Sequence, residues 1–428
     1  MLHVQEYLKT HTLAELKEAH GIKNTLSASK HKMSLNYDQI ESKESDPLAC
    51  QCRGLIIAKV DGSVIDTSLP LGETVVLARP MDRFFNYGQG SAKEIDFSDP
   101  ETVYLEKLDG TLGILYRDIF TGEWCVGTRS VPEADHLIDG FGTHTFRTLF
   151  EVCLWETLRR SNPLWFQELQ VTGTDTTPRE FFKYFTQTFF GDSRATLCWE
   201  ITSPLNRVVV DYKDYGITLL AVRYPDTGEE KDPKYVVPAG LPTPKTYSFG
   251  VVAELLEFVA SKEPSQFEGV VVRARNLYGY DRLKVKNPAY LAFNRIRDSV
   301  ANSPRALMEV IMLGKHDDVF PMLPQSVQDT GQRYLEGFKV LSVFYEGAYD
   351  RLIPVTLGSE NPRKSLALKI QEEGLWLPPL MMRFSGKVDS FQSFLESNKK
   401  EGTWNDSFLD TVIDNAERIM ARQNRGAL

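Results

Sequence analysis

The pattern of strand and helix signals in this chain of 428 residues changes near residue 290. From about residue 52 to 290, short apolar runs such as Gly216 to Arg223 are separated by turns rich in Gly, Asp and Asn. One amphipathic helix pattern, at Val252 to Ala260, interrupts these runs. Because strand mostly follows strand directly, the pattern predicts an α+β fold with mainly antiparallel sheets rather than alternating βαβ units.

Beyond residue 290 the signals are those of helices. We expect helices from Ser303 to Gly314, from Asn361 to Gly374 and from Trp404 to Arg422. A Ser-Pro or Asn-Pro pair opens the first two, and a glycine closes each of them. The change of pattern places a domain boundary near residue 295. The sequence therefore predicts a first domain at 1–295 and an all-helical C-terminal domain at 296–428.

Local signals predict further helix and loop positions. Thr12-Leu-Ala-Glu15 is a capping box that opens a short helix, and Gly21 offers its end. In the C-terminal part, the prolines within Leu352–Pro354 and Leu377–Pro379 predict loops between helices.

A lysine stands just ahead of an Asp-Gly turn in the run from Val103 to Tyr116, as Lys107-Leu-Asp109-Gly110. The run reads as two apolar strands joined by a two-residue hairpin turn. Such a turn would hold the Lys107 amine in a cleft. A lysine held among other cations loses proton affinity and becomes a nucleophile suited to attack on phosphorus. Taken alone, the motif more often marks a solvated lysine beside a common turn.

Other residues suited to a phosphate-handling site occur at ordered positions around this lysine. They are the cations Arg53, Arg83, Arg129, Lys284 and Lys286 and the carboxylates Glu200 and Glu268. Residues two apart in a strand face the same side, so Lys284 and Lys286 would present paired ammonium groups to one cleft. A polyphosphate needs several such fixed cations. The alternatives are a charged sheet edge for the two lysines and a buried salt bridge for the carboxylates.

This ordered set resembles the covalent nucleotidyltransferases, which include DNA ligases, RNA ligases and mRNA capping enzymes. Within that group it most resembles the bacteriophage RNA ligase 1 family. The segments that carry the closer match are Cys52-Arg53-Gly54, Arg79 to Asn86, Ser203 to Val209 and Tyr290. The resemblance covers roughly residues 25 to 320. It implies a ligase-type adenylylation domain of mainly antiparallel sheets, followed by the all-α C-terminal domain.

The resemblance also implies a role for each matched residue. Lys107 would attack the α-phosphorus of ATP, expel pyrophosphate and carry AMP on its amine. Asp109 and Gly110 would shape the turn and help hold the water shell of the metal. Arg53 and Arg83 would contact the ribose and phosphates of ATP, and Arg129, Glu200 and Glu268 would belong to the nucleotide and metal shell. Lys284 and Lys286 would contact the α-phosphate. Tyr290 would lie near the outer phosphates.

Magnesium is the metal that the resemblance implies, with manganese as the alternative ion. Glu268 is the expected anchor, through water, and this suits Mg²⁺ because that ion keeps several waters when bound. The pair Asp317-Asp318 resembles an acidic pair of the family that engages a second metal near the β and γ phosphates. The same pair also reads as a solvated turn, and both interpretations stay open.

The chain departs from the family in two respects. The family usually has lysine where Arg83 and Arg129 stand, and a planar guanidinium is not a point charge, so the geometry of the phosphate contacts would differ. The segment between Arg129 and Glu200 is also longer than is typical and rich in phenylalanine, above all at 160–195. We interpret it as an inserted helical piece.

Composition limits the partners and the compartment. The net charge is −9, so no overall basic field indicates a nucleic-acid partner, and RNA binding would depend on local patches. The five cysteines form no CxxC pair, which is typical of reduced thiols in a cytosol. No signal peptide, membrane span or obligate protein partner is legible. We expect a cytoplasmic protein, in the host cytoplasm if it is phage-encoded.

The helical C-terminal part distinguishes among the relatives, because DNA ligases and capping enzymes carry a β-rich OB barrel at that place. The resemblance therefore implies an ATP-dependent RNA ligase that joins an RNA 3′-hydroxyl to a 5′-phosphate through lysyl-AMP and RNA-adenylate intermediates. Repair of broken RNA, with nicked tRNA as the first candidate, is the implied task. The alternatives are a ligase that seals DNA nicks or ends and a catalytically silent RNA-binding relative.

Overall fold

The structure is a computed structural model that describes residues 1–38, 41–138, 144–162, 176–236, 240–292, 303–314, 316, 320, 323, 325–400 and 403–424. The chain forms two compact units. The first consists of Met1–Ser261 and Gln266–Lys286, and the second of Lys262–Ser265 and Asn287–Leu428. The division falls at the end of a strand, ahead of the boundary near residue 295 that the sequence suggests.

The first unit begins with a small sheet under three short helices. The helices are α1 (His3–Leu8), α2 (Leu13–His20) and α3 (Pro47–Gln51), and the strands are β1 (Ile22–Leu26), β2 (Lys32–Tyr37), β3 (Arg53–Lys59) and β4 (Thr74–Ala78). The four strands pair antiparallel in the order β1-β2-β3-β4. The capping box at Thr12 and the left-handed Gly21 bound α2 as predicted.

Two five-stranded sheets follow in the first unit. Their strands are β5 (Phe85–Asn86), β6 (Val103–Lys107), β7 (Thr111–Arg117), β8 (Trp124–Thr128), β9 (Thr196–Thr202), β10 (Gly216–Arg223), β11 (Glu230–Lys231), β12 (Thr246–Tyr247), β13 (Gly269–Arg275) and β14 (Tyr280–Lys286). One sheet has the order β11-β10-β9-β7-β8 and the other β12-β6-β13-β14-β5. Every pairing is antiparallel except that of β14 with β5, so the predicted α+β class is confirmed.

The hairpin predicted for Val103 to Tyr116 is wrong. Strand β6 pairs with β12 and β13, whereas β7 pairs with β8 and β9 in the other sheet. The residues from Leu108 to Gly110 therefore carry the chain from one sheet to the other. An Asp-Gly pair is a local turn signal, and it cannot report that contacts with distant residues draw the two strands apart.

The phenylalanine-rich segment is helical where the structure describes it, as α4 (Phe146–Ser161) and α5 (Pro178–Phe190). The residues 163–175, which include Phe166, lie outside the described residues. The two helices bury aromatic rings in one core with the inner face of the β9 sheet. The ring of Phe150 packs edge-on against Trp199 of β9 and against Phe182, with centroids 6.1 Å apart in each pair. The described part of the insertion thus covers one sheet of the first unit.

The described helices of the second unit pack around a single apolar core. They are α8 (Pro304–Met312), α9 (Gln325–Leu357), α10 (Pro362–Glu372), α11 (Leu377–Phe384), α12 (Phe391–Ser397) and α13 (Asp406–Asn424), and they follow the first-unit helices α6 (Pro233–Val236) and α7 (Val252–Ala260) in the chain. The helices predicted after Ser303 and Asn361 and near the C-terminus are confirmed.

The two proline loops predicted within the helical part are wrong. Pro354 lies near the end of the 33-residue helix α9. Pro378 and Pro379 lie in the first turn of α11, where a missing N–H costs nothing because that turn has no intrahelical acceptor for it. Among the described residues, none of the helices has both the length and the apolar character needed to span a membrane.

Candidate active site

Lys107, Glu268 and Lys286 form an ion-pair triad around one buried carboxylate on the sheet that contains β6, β13 and β14. The backbone register sets Gly269 opposite both Lys107 and Lys286, so the residue before Gly269 lies between the two lysines. The Glu268 carboxylate, 3% exposed, accepts from Lys107 Nζ at 2.6 Å and lies 2.8 Å from Lys286 Nζ. The structure therefore brings these three sequence-predicted residues together.

The triad holds the candidate nucleophile as an ammonium ion. Burial lowers the pKa of Lys107, but the charges of Glu268 and Glu200 outweigh it and raise the pKa above the ordinary value. Burial raises the pKa of Glu268, and the two lysine charges outweigh that effect and lower it. In the protein without ligand, Lys107 is positioned but not yet nucleophilic, because an amine attacks only after it loses its proton.

The Asp109 side chain fastens the crossover to a distant loop. Asp109 is 4% exposed, and its Oδ2 accepts from the backbone N–H groups of Val209 and Val210, each at 2.7 Å. The backbone N–H of Asp109 donates to the hydroxyl of Tyr212 at 3.2 Å. Two of these interactions use a charged acceptor, which makes them stronger than neutral hydrogen bonds. Asp109 thus fixes the position of the residue next to Lys107.

Gly110 and Glu200 tie the other end of the crossover to β9. The Gly110 N–H donates to Glu200 Oε1 at 2.9 Å. A Cβ on Gly110 would overlap the carbonyl oxygen of Ile201, so no other residue fits without moving the strand. Burial raises the pKa of Glu200 to about 7, and the nearby Lys107 charge opposes that rise. The carboxyl group consequently titrates near neutrality beside the candidate nucleophile.

Lys284 and Arg53 both lie near the Phe84 ring and lack the ion pairs that the triad has. Lys284 Nζ is 4.7 Å and Arg53 Cζ 5.5 Å from the centre of the Phe84 ring. In the described part of the chain, Lys284 makes no ion pair, and Nη1 of Arg53 is buried without a hydrogen-bond partner. Burial, with the charges of Arg53, Lys107 and Lys286, lowers the pKa of Lys284 to about 6. These two cations fit an anionic ligand.

Arg83 and Arg129 meet at one aromatic ring. Their guanidinium carbons are 4.2 Å and 5.9 Å from the centre of the Tyr37 ring, and Arg83 also donates to the Ser42 hydroxyl at 3.0 Å. A planar guanidinium stacks on a ring as an ammonium cannot, which is a physical reason for arginine at both positions.

The remaining predicted residues belong to the second unit. Tyr290 is 2% exposed, and its N–H donates to Asn287 Oδ1 at 3.4 Å. Asp317 and Asp318 lie outside the described residues. Across the described ranges, no group of three or more His, Cys, Asp or Glu side chains could hold a metal ion. Glu268 is a buried carboxylate of the kind a hard cation prefers, but both of its oxygens are engaged by lysines, which fits a contact through water.

Sequence reasoning missed three contributors to the site. Tyr37 and Phe84 are the rings on which the arginines lie, and Tyr212 accepts from the crossover backbone. Phe84 adjoins a recognised arginine, so its position in the sequence offered a signal. Tyr37 and Tyr212 offered none, because their roles depend on contacts with residues far away in the chain.

Comparison with protein families and individual proteins gives a consistent result. A family model described as RNA ligase matches residues 51–290, which is more than half of the chain. A putative bifunctional polynucleotide kinase/RNA ligase of Autographa californica nuclear polyhedrosis virus is 27% identical over 336 residues, which cover 76% of this chain and 42% of that protein. An RNA ligase of Rhodothermus phage RM378 is 25% identical over 382 residues. The alignment covers 75% of this chain and 78% of the phage protein. The chain thus spans less than half the length of the viral relative.

Solved structures give a weaker likeness. Two structures of an archaeal ATP-dependent RNA ligase, forms 1 and 2, align with TM-scores of 0.37 and 0.39 at 14% sequence identity. The first alignment covers 87% of this chain and 89% of the other, and the second covers 99% and 98%.

Proposed function

This chain belongs to the RNA ligase family, and on that premise we propose that it joins RNA ends with ATP as co-substrate and Lys107 as the residue that becomes adenylylated. The observation that carries the proposal is the juxtaposition of an ion-paired lysine at 107 with two basic residues, Arg53 and Lys284, that make no ion pair among the described residues. The first supplies the nucleophile. The other two supply positive charge where a phosphate would lie.

The first chemical step follows from this arrangement. The Lys107 amine attacks the α-phosphorus, an N–P bond forms, and the bond from that phosphorus to the pyrophosphate oxygen breaks. Lys284 and Arg53 would stabilise the charge on the phosphate oxygens during transfer, which is where most of the acceleration in such reactions arises. Asp109 and Gly110 would hold the backbone beside Lys107 in place throughout.

Lys107 must lose a proton before it attacks. Glu268 Oε2, at 2.6 Å, is an oxygen within reach of that proton, and Glu200 is a nearby carboxyl whose pKa of about 7 suits proton exchange. Glu268 is also the described residue that would hold Mg²⁺ or Mn²⁺ through water, and the ion would supply positive charge to the phosphates. Arg83 and Arg129 would contact the nucleotide as planar cations.

The two later steps use the same centre. An oxygen of the RNA 5′-phosphate attacks the α-phosphorus of lysyl-AMP, and the N–P bond breaks with its electron pair returning to Lys107 Nζ. An RNA 3′-hydroxyl then attacks the 5′-phosphorus of the RNA adenylate and AMP leaves. We propose repair of broken RNA, with nicked tRNA as the first candidate, as the task. Selection of the RNA by the helical second unit is part of the same proposal.

Labelling with α-³²P-ATP and Mg²⁺ tests the proposal. We expect wild-type protein to become covalently labelled and Lys107→Ala to remain unlabelled. A parallel set of 5′-phosphorylated RNA and DNA strands then assigns the substrate, because a DNA-sealing enzyme would act on nicked DNA and ignore single-stranded RNA ends. Absence of label on folded wild-type protein would instead identify a catalytically silent relative.

A further inference from the structure

A large cavity adjoins the candidate active site within the first unit. It has a volume of about 920 Å³ and is bounded by the segment from Arg79 to Phe85 and by the β13–β14 turn, Asn276 to Gly279. Phe84 belongs to its wall, and the Phe84 ring also contacts Lys284 on the candidate active-site side. The cavity therefore begins where the proposed α-phosphate contacts end.

Strand β14 leads from the candidate nucleophile to this cavity. Lys286 lies across from Lys107 through Gly269, and Lys284 and Arg282 follow at two-residue intervals on the same face. Each interval is about 7 Å along a strand. Arg282 lines the cavity, so a row of positive side chains runs from the nucleophile into it.

Arg79 differs from the two ion-paired arginines of the cavity wall, Arg223 and Arg282. Arg223 is bound by Asp82 at 2.7 Å and 3.2 Å, and Arg282 is bound by both oxygens of Glu230. Among the described residues Arg79 makes no ion pair, and its Nε is buried without a hydrogen-bond partner. A buried donor of this kind costs free energy unless a ligand satisfies it, and a guanidinium matches a phosphate.

The outer edge of the cavity is aromatic and exposed. Tyr278, at the tip of the β13–β14 turn, is 70% exposed and also lines a second cavity of about 290 Å³. Tyr235, which also lines that second cavity, is 78% exposed. Exposed aromatic rings that flank a site for phosphate form the arrangement that binds single-stranded nucleic acid by stacking on its bases.

We propose that the larger cavity binds the 5′-phosphorylated end of the RNA, with Arg79 contacting a phosphate of the strand and Tyr278 stacking on a base. This inference rests on the proposed function. The geometry of phosphoryl transfer supports it, because the attacking and leaving atoms lie roughly in line on phosphorus. The RNA 5′-phosphate must therefore approach lysyl-AMP from the side opposite Lys107, which is the side from which pyrophosphate leaves.

Pyrophosphate and the RNA 5′-phosphate are both phosphate anions, so either could bind in this cavity. The experiment distinguishes them by measuring the first reaction step, which releases pyrophosphate, separately from the second, which uses RNA. The variants are Arg79→Gln and Tyr278→Ser, and the matched controls are Arg179→Gln and Tyr184→Ser on the exposed surface of α5. Formation of lysyl-AMP from ATP measures the first step. Transfer of AMP from isolated lysyl-AMP protein to 5′-phosphorylated RNA measures the second.

For Arg79→Gln we expect first-step kinetics within about twofold of wild type and a rise of about tenfold in the KM for RNA in the second step, because one charged hydrogen bond is lost. For Tyr278→Ser we expect a rise of about fivefold, seen only with RNA long enough to span both cavities. A 5′-phosphorylated dinucleotide should show the Arg79→Gln effect alone. Both controls should behave as wild type.

Three results would overturn the assignment. A second-step KM unchanged in both variants would remove the cavity from RNA binding. An Arg79→Gln loss that is as large in the first step as in the second would assign Arg79 to pyrophosphate instead. Equal losses in the two controls would trace the effect to general surface charge. Failure of wild-type protein to form lysyl-AMP at all would refute the proposed function, and it is recognised separately because it precedes any RNA.

Discussion

The two halves of the candidate active site treat charge in opposite ways. In the paired half, which consists of Lys107, Glu268 and Lys286, two ammonium groups share one buried carboxylate at 2.6 Å and 2.8 Å. In the unpaired half, which consists of Arg53, Phe84 and Lys284, two partly buried basic side chains share an aromatic ring and no described carboxylate forms an ion pair with either. The paired half is complete as it stands, whereas the unpaired half requires an anion to be complete.

This difference separates stability from ligand binding. Side chains of the paired half hold the folded protein together, because removal of one partner of a buried ion pair leaves an uncompensated charge. Side chains of the unpaired half work against the ligand-free fold and gain their compensation when a phosphate arrives. Substitutions in the two halves should therefore change the free energy of unfolding in opposite directions.

The largest effect is expected from Glu268→Gln, which breaks the paired half. We expect the free energy of unfolding to fall by about 3 kcal/mol, since two partly buried ammonium groups lose the counter-charge that they share. Covalent labelling by ATP should also be lost. Chemical denaturation followed by circular dichroism measures the first effect. Asp118→Asn is the matched control, because it breaks the buried pair at 2.7 Å between Lys32 of β2 and the residue after β7, and it should cost stability while the folded protein is still labelled.

A smaller loss of stability is expected from Asp109→Asn, which weakens the attachment of the crossover segment next to Lys107. Two hydrogen bonds to a charged acceptor, from Val209 and Val210, become bonds to a neutral one, and we expect a loss of about 2 kcal/mol in the free energy of unfolding. Amide hydrogen exchange at Val209 and Val210 should become faster at the same time. Unchanged exchange at both positions would contradict the role given to this carboxylate.

An increase in the free energy of unfolding is expected from Lys284→Met in the unpaired half. At neutral pH the unfolded chain keeps the Lys284 proton, whereas the folded protein, with the pKa lowered to about 6, must give it up. Removal of the amine should therefore raise the stability of the ligand-free protein by about 1 kcal/mol, while affinity for ATP falls. Lys387→Met on the exposed surface should change neither property. A stability loss for Lys284→Met would contradict the comparison.

The smallest effect is a fraction of a proton taken up on binding. A phosphate beside Lys284 should raise its pKa from about 6, so at pH values between that and the ordinary lysine pKa the protein should gain protons when a non-cleavable ATP analogue binds. Calorimetry in buffers of different ionisation enthalpy measures the uptake. Glu200 faces the same cleft, and comparison with Lys284→Met isolates the lysine contribution. Uptake that is identical in both proteins would exclude Lys284 as its source.

The sequence predicted the parts of the site that depend on local periodicity. Lys284 and Lys286 share a face because strand alternation requires it, and that expectation is met in β14. The Lys107–Gly110 segment was recognised, but its geometry was not, since the hydrogen bonds that Asp109 and Gly110 make to residues about 90 to 100 positions away carry the chain between sheets. The roles of Tyr37 and Tyr212 could not be predicted for the same reason. Prolines in the second unit misled because their effect depends on where in a helix they fall.

The most direct test of this account locates the covalent AMP. Wild-type protein is incubated with ATP and Mg²⁺, the intact mass is measured, and the modified peptide is sequenced by tandem mass spectrometry. We expect one AMP per chain, attached to Nζ of Lys107. AMP on Lys284 or Lys286 in place of Lys107, or a folded protein that takes up none, would contradict it.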